Sequence, residues 1–190
     1  MKRLVVLVVL APTIALAEPW SLGTGITLSQ DGSRSEPGQN PTSHESDDVV
    51  LSYFGALAEA SRTTDHLRFR VFATGGQIDS YGTHGWFAGV GGGVDLQICR
   101  LTCFGIGLAA SEQLLDYKRD YQPTFEAMFS ARFVSLVVHA SAFVAMPIGH
   151  FSLTARVGPR RKWIHSGAYD NEDDPQPGLG GELVLSHPLR

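Results

Sequence analysis

The chain has 190 residues, of which 43% are hydrophobic and 18% charged, with 21 Gly, 10 Pro and 2 Cys. That length suits one domain, the apolar fraction excludes a disordered chain, and a formal charge of −4 excludes the basic footprint of a nucleic-acid binder. A single long apolar stretch stands at the start, so a bundle of membrane-spanning helices is excluded as well, each span needing about 20 apolar residues.

Residues 1–17 form the first element. Met1-Lys2-Arg3 is a positive head, Leu4 to Leu10 an apolar run, and Ala15 and Ala17 a small-x-small ending. This is the pattern of a secretory signal peptide, with cleavage expected before Glu18 and a single β-barrel domain over 18–190. No cysteine follows the cut, so lipid attachment there is not expected.

Beyond Glu18 the hydrophobic pattern has period two. Residues 20–29 and the long mixed run 49–60 read as strands. In 66–74, Leu67, Phe69, Val71 and Ala73 share one face, while Arg68 and Arg70 share the other. In 85–99, Trp86, Val90, Val94, Leu96 and Ile98 oppose Gly89, Gly91, Gly93 and Asp95. Cys99 and Cys103 then frame three residues, too many for a CxxC redox pair and with no further zinc ligand nearby, so a local disulfide closing a tight turn is expected. Residues 104–111 set Phe104, Ile106 and Leu108 against Gly105 and Gly107. Residues 124–133 set Phe125, Phe129 and Phe133 against Glu126 and Arg132. The apolar phase then shifts, and 136–146 carries Leu136, Val138 and Val144 on one side. Residues 151–157 set Phe151, Leu153 and Val157 against Ser152 and Arg156, and 179–186 closes the series.

These are nine runs, whereas a single-chain bacterial barrel has an even number; eight fits the length, with 124–146 as one bulged strand. Loops are expected at 30–48, 77–84, 112–123 and 158–178, and short turns at 61–65, 100–102 and 147–149.

Two environments suit such strands. A soluble barrel or sandwich turns its apolar face inward. An outer-membrane barrel turns it to lipid and keeps small and polar residues within. Glycine dominates the second face, a poor choice beside water and a good one in a crowded lumen. The reading is therefore an all-β, antiparallel up-and-down transmembrane barrel. Its lipid-facing residues are Leu67, Phe69, Val71, Trp86, Phe104, Ile106, Phe125, Phe129, Phe133, Phe151 and Leu153. Arg68, Arg70, Asp95, Glu126, Arg132 and Arg156 form a charged network in the lumen. Trp20, Tyr53, Trp86, Tyr121 and Trp163 fall where an interfacial girdle belongs.

Signal peptide, alternating runs, Gly-lined face and long alternate loops together resemble the small eight-stranded outer-membrane barrels of the OmpA-transmembrane-domain, OmpX and OmpW types. The resemblance is one of pattern, and it implies a structural, small-solute or surface-interaction role in the outer membrane, contact with membrane lipid, and a monomer.

No catalytic site, cofactor or metal site is expected. Gly89-Val90-Gly91-Gly92-Gly93 lacks the lysine of a phosphate loop, and the acidic run 170–174 lacks calcium-loop spacing. Arg160-Arg161-Lys162 offers either lipopolysaccharide contact or neutralisation of that acidic run. Two alternatives remain: a soluble lipocalin-like barrel holding an apolar ligand, and, more remotely, a lipid A deacylase-like enzyme using His150 and Ser152.

Overall fold

A computed structural model describes residues 20–33, 49–80, 83–119, 129–166 and 175–189. Residues 1–17, Tyr121, Phe125, Glu126 and the acidic run 170–174 lie outside them, as does the side chain of Phe129. Every described element is a strand: β1 Trp20–Ser33, β2 Val49–Thr64, β3 Leu67–Ser80, β4 Thr83–Cys99, β5 Cys103–Arg119, β6 Phe129–Ile148, β7 Phe151–Ser166 and β8 Gln176–Pro188. Each pairs antiparallel with its chain neighbours, and β1 pairs with β8, so the sheet closes as an eight-stranded barrel without an edge.

Two expected runs prove to be one strand. β6 passes straight through the phase change, and its register with β7 slips between Val134 and Ser135. The strands are also longer than their apolar stretches, at 13 to 20 residues. Segments assigned to loops, such as 112–119 and 158–166, continue the ladder because their inward side chains find partners inside the barrel, Arg160 and Lys162 on Asp31 and Leu115 in an apolar cluster.

The short turns share one end of the barrel. Asp65 at φ 30 and Gly149 at φ 61 each take the positive φ of a two-residue hairpin turn. The third turn is closed by the Cys99–Cys103 disulfide, which joins directly opposed residues. The strand ends at Trp20 and Pro188 lie at this same end, and the other end carries the longer connections 34–48, 120–128 and 167–175 together with the two-residue link 81–82.

The register fixes the barrel's shear. Starting at Leu67 and stepping across through Leu96, Ile106, Ala142, Val157, Gly181, Leu28 and Phe54, the path returns to β3 at Gln77, ten residues further along. A stagger of that size on eight strands tilts them by about 40°. Each residue then climbs about 2.5 Å along the axis, and each step to the next strand about 3 Å. On this scale the outward apolar residues run from Met146, Phe151 and Ile98 up to Leu28, Leu179 and Phe54, a belt of about 25 Å. Gln30, Gln77, Glu112 and Arg161 all point outward at the belt's upper border. Trp86 and Trp163 stand one step above it, and Trp20 stands at its lower border.

Candidate functional site

The lumen is the candidate site, and it has two storeys. The lower one, towards the short turns, is built from charges on alternate positions of five strands. Arg68 and Arg70 come from β3, Glu59 from β2, Asp95 from β4, Arg156 from β7 and Glu182 from β8. Arg68 Nη2 donates to Glu59 Oε1 at 2.7 Å and to Ser61 Oγ at 3.0 Å. Arg156 reaches all three acids: Glu59 at 3.2 Å, Asp95 at 3.1 Å and Glu182 at 3.4 Å. Arg70 contacts Glu182 at 3.1 Å and Asp95 at 3.5 Å. Three guanidiniums thus face three carboxylates, all buried or nearly so, and the charges balance. Burying an ion costs several kcal/mol unless partners surround it, and here each ion has more than one.

Glycine makes the room. A Cβ on Gly93 would lie 3.1 Å from Arg70 Nε, and one on Gly107 would collide with the Asp95 carboxylate.

The upper storey mixes one polar wall with a dry plug. Asp31 accepts from Arg160 Nη2 at 3.2 Å and forms ion pairs with Arg160 Nε at 2.9 Å and Lys162 Nζ at 3.0 Å. Lys162 also donates to Tyr53 Oη at 2.7 Å, and Arg160 donates to Ser29 Oγ. The Arg160 guanidinium stands 5.3 Å over the Tyr53 ring. Across the barrel, Leu51, Ile78, Phe87, Leu115 and Phe133 pack with Tyr53 into an apolar cluster, with Tyr53 and Phe87 edge to face.

A small cavity of about 40 Å³ lies between the storeys, lined by Thr27, Ser29, Thr74, Ser111, Gln113 and His139, with Arg160 above and Glu182 below. Room of that size takes a few water molecules. His139 Nδ1 faces Glu182 Oε1 at 3.9 Å.

Of the residues expected in the lumen, Arg68, Arg70, Asp95 and Arg156 lie there together. Arg132 does not. It points outward with its side chain 69% exposed and pairs with Asp116 at 3.1 Å, because the inward positions of β6 are the odd-numbered ones, Phe133 to Ala145. For the same reason Phe133 turns inward, at 3% exposure, into the plug rather than outward. Tyr53 likewise leaves the expected girdle for the lumen, and Arg160 and Lys162 leave the expected surface patch. Leu67, Phe69, Val71, Trp86, Phe104, Ile106, Phe151 and Leu153 sit on the outer face.

The charged members missed by sequence reading were Glu59, Glu182, Asp31, Arg160 and Lys162. Simple alternation would have found Glu59 and Glu182. The lipocalin-like alternative does not survive, since it requires Phe69 inside and the arginines wet, whereas Phe69 is 42% exposed and Arg70 2%. His150 is exposed in the β6–β7 turn at the short-turn end, no described carboxylate pairs with it, and the Ser152 carbonyl accepts from Ser186 Oγ.

No protein-family model matches the chain, and no curated protein is similar to it in sequence. Solved structures do match. The attachment invasion locus protein Ail of Yersinia pestis superposes with a TM-score of 0.53 at 13% identity, over 90% of this chain and 97% of that one. A major outer membrane protein from Thermus thermophilus gives 0.53 at 10% identity, over 87% and 99%. The chain has the fold of a small outer-membrane β-barrel. At these identities the likeness is one of backbone path, so function has to be argued from the chain's own faces.

Proposed function

We propose that residues 1–17 export the chain and that 18–190 span the outer membrane as a barrel whose outer belt meets lipid and whose lumen is closed to solutes larger than water. The role that follows is structural or surface-interacting, in a monomer, and no catalytic step is assigned. One observation carries this reading: an outward apolar belt about 25 Å high coexists with a balanced cluster of six buried charges within. In water that arrangement would bare the belt and bury the ions. In a bilayer both faces are satisfied at once.

The test is fractionation of expressing cells, followed by gel electrophoresis with and without boiling. Recovery with the outer-membrane fraction, a mobility change on boiling, and a mature chain beginning at Glu18 are expected. Recovery in the soluble periplasmic fraction would overturn the reading.

A further inference from the structure

Arg161 is the member of the basic triplet that stays outside. Side chains alternate along β7, so Arg160 and Lys162 enter the lumen to meet Asp31, while Arg161 is exposed on the outer face. Its cross-strand partners are Val138 on β6 and Pro177 on β8, and its outward neighbours along β7 are Pro159 and Trp163. Its nearest outward neighbours are therefore apolar, and among the described residues it has no acidic partner. Glu112 shares its level but stands two strands away on β5, with Val138 and Leu136 of β6 between. A second outward arginine near the upper end, Arg132, is occupied by Asp116 and stands higher, well above the belt.

Height gives Arg161 its meaning. With Gln30, Gln77 and Glu112 it marks the upper border of the belt, where a bilayer's hydrocarbon gives way to headgroups. Trp163, one step above, is the residue type that favours that boundary. A guanidinium presents a planar fork of donors that matches phosphate oxygens two at a time, and among the described residues this one has no carboxylate to satisfy it.

We propose that Arg161 is a phosphate-binding anchor for a phosphorylated lipid headgroup in the leaflet at the long-loop end, fixing the barrel's depth there. The assignment rests on the membrane-spanning reading above.

The full-length protein, reconstituted in vesicles of phosphatidylcholine and lipid A, provides the test, with lipid retained after detergent extraction counted by native mass spectrometry. Retention of lipid A should fall about tenfold in Arg161→Gln, recover in part in Arg161→Lys, and stay unchanged in Arg132→Gln. Dephosphorylated lipid A should be retained no better by the wild type than by Arg161→Gln. Equal retention of lipid A by the wild type and Arg161→Gln, while both insert and shift on boiling, overturns the anchor alone. Displacement of lipid A by excess inorganic phosphate overturns the assignment to a lipid. Failure of the wild type itself to insert removes the membrane-spanning reading and the anchor with it.

Discussion

The lower and upper storeys of the lumen solve the same packing problem with opposite chemistry. Below, the interior is filled by interlocked ions, each arginine held by carboxylates and hydroxyls drawn from different strands. Above, most of the cross-section is filled by aromatic and aliphatic side chains, and among the described residues charge is confined to the Asp31 wall. The lower storey lies level with the hydrocarbon belt. The plug lies near or above the belt's upper border. Level with the belt, ions shared among many strands tie the wall together. Beyond it, a hydrophobic core works as in any soluble domain.

That difference can be tested by breaking each storey. Arg156→Ala strands Glu59, Asp95 and Glu182 with one guanidinium fewer. It should cost about 3–5 kcal/mol, read as a lower temperature for the gel-mobility shift or a lower urea midpoint in detergent. Phe133→Ala opens a void in the plug and should cost about 3 kcal/mol in the same assay, while leaving insertion intact because the belt is untouched. An equal loss from Phe69→Ala on the outer face would mean that the two faces are not distinct in packing. Replacing both Cys99 and Cys103 with Ser releases a staple around a very short loop and should cost no more than about 2 kcal/mol. Loss of the folded barrel would show that the turn is needed for assembly. Arg132→Gln breaks an exposed pair and should change stability by less than about 1 kcal/mol.

The lower storey was largely legible in the sequence, because its charges recur every second residue beside glycines: Arg68 and Arg70 in β3, Asp95 after Gly89, Gly91 and Gly93 in β4. The upper storey was not. Phe133 looks like a lipid-facing residue and Tyr53 like a girdle residue when hydrophobicity alone is read, and Leu115 falls in an expected loop. Phenylalanine divides between the faces, with Phe54, Phe69, Phe104 and Phe151 outward and Phe72, Phe87, Phe133 and Phe143 inward. Charge and glycine are therefore better guides to the lumen than aromatic content. Strand ends were underestimated for a related reason. Residues such as Arg160 and Lys162 resemble loop until Asp31, 129 or more residues away in sequence, is seen to be their partner. Arg132 was misassigned because the phase of β6 was counted from its phenylalanines, and the inward phase of that strand is set by Ser135, His139 and Ser141.

Orientation of the two faces underlies every statement about function, and depth-dependent fluorescence quenching measures it directly. With Trp20, Trp86 and Trp163 replaced by Phe, single tryptophans would be placed at Phe69, Val90 and Ile106 on the belt and at Phe72 and Phe143 in the lumen, then examined in vesicles of brominated lipid. Strong quenching at the first three positions and little at the last two is the expected result. Quenching confined to positions 72 and 143, or absent from all five in protein that remains folded, would contradict it.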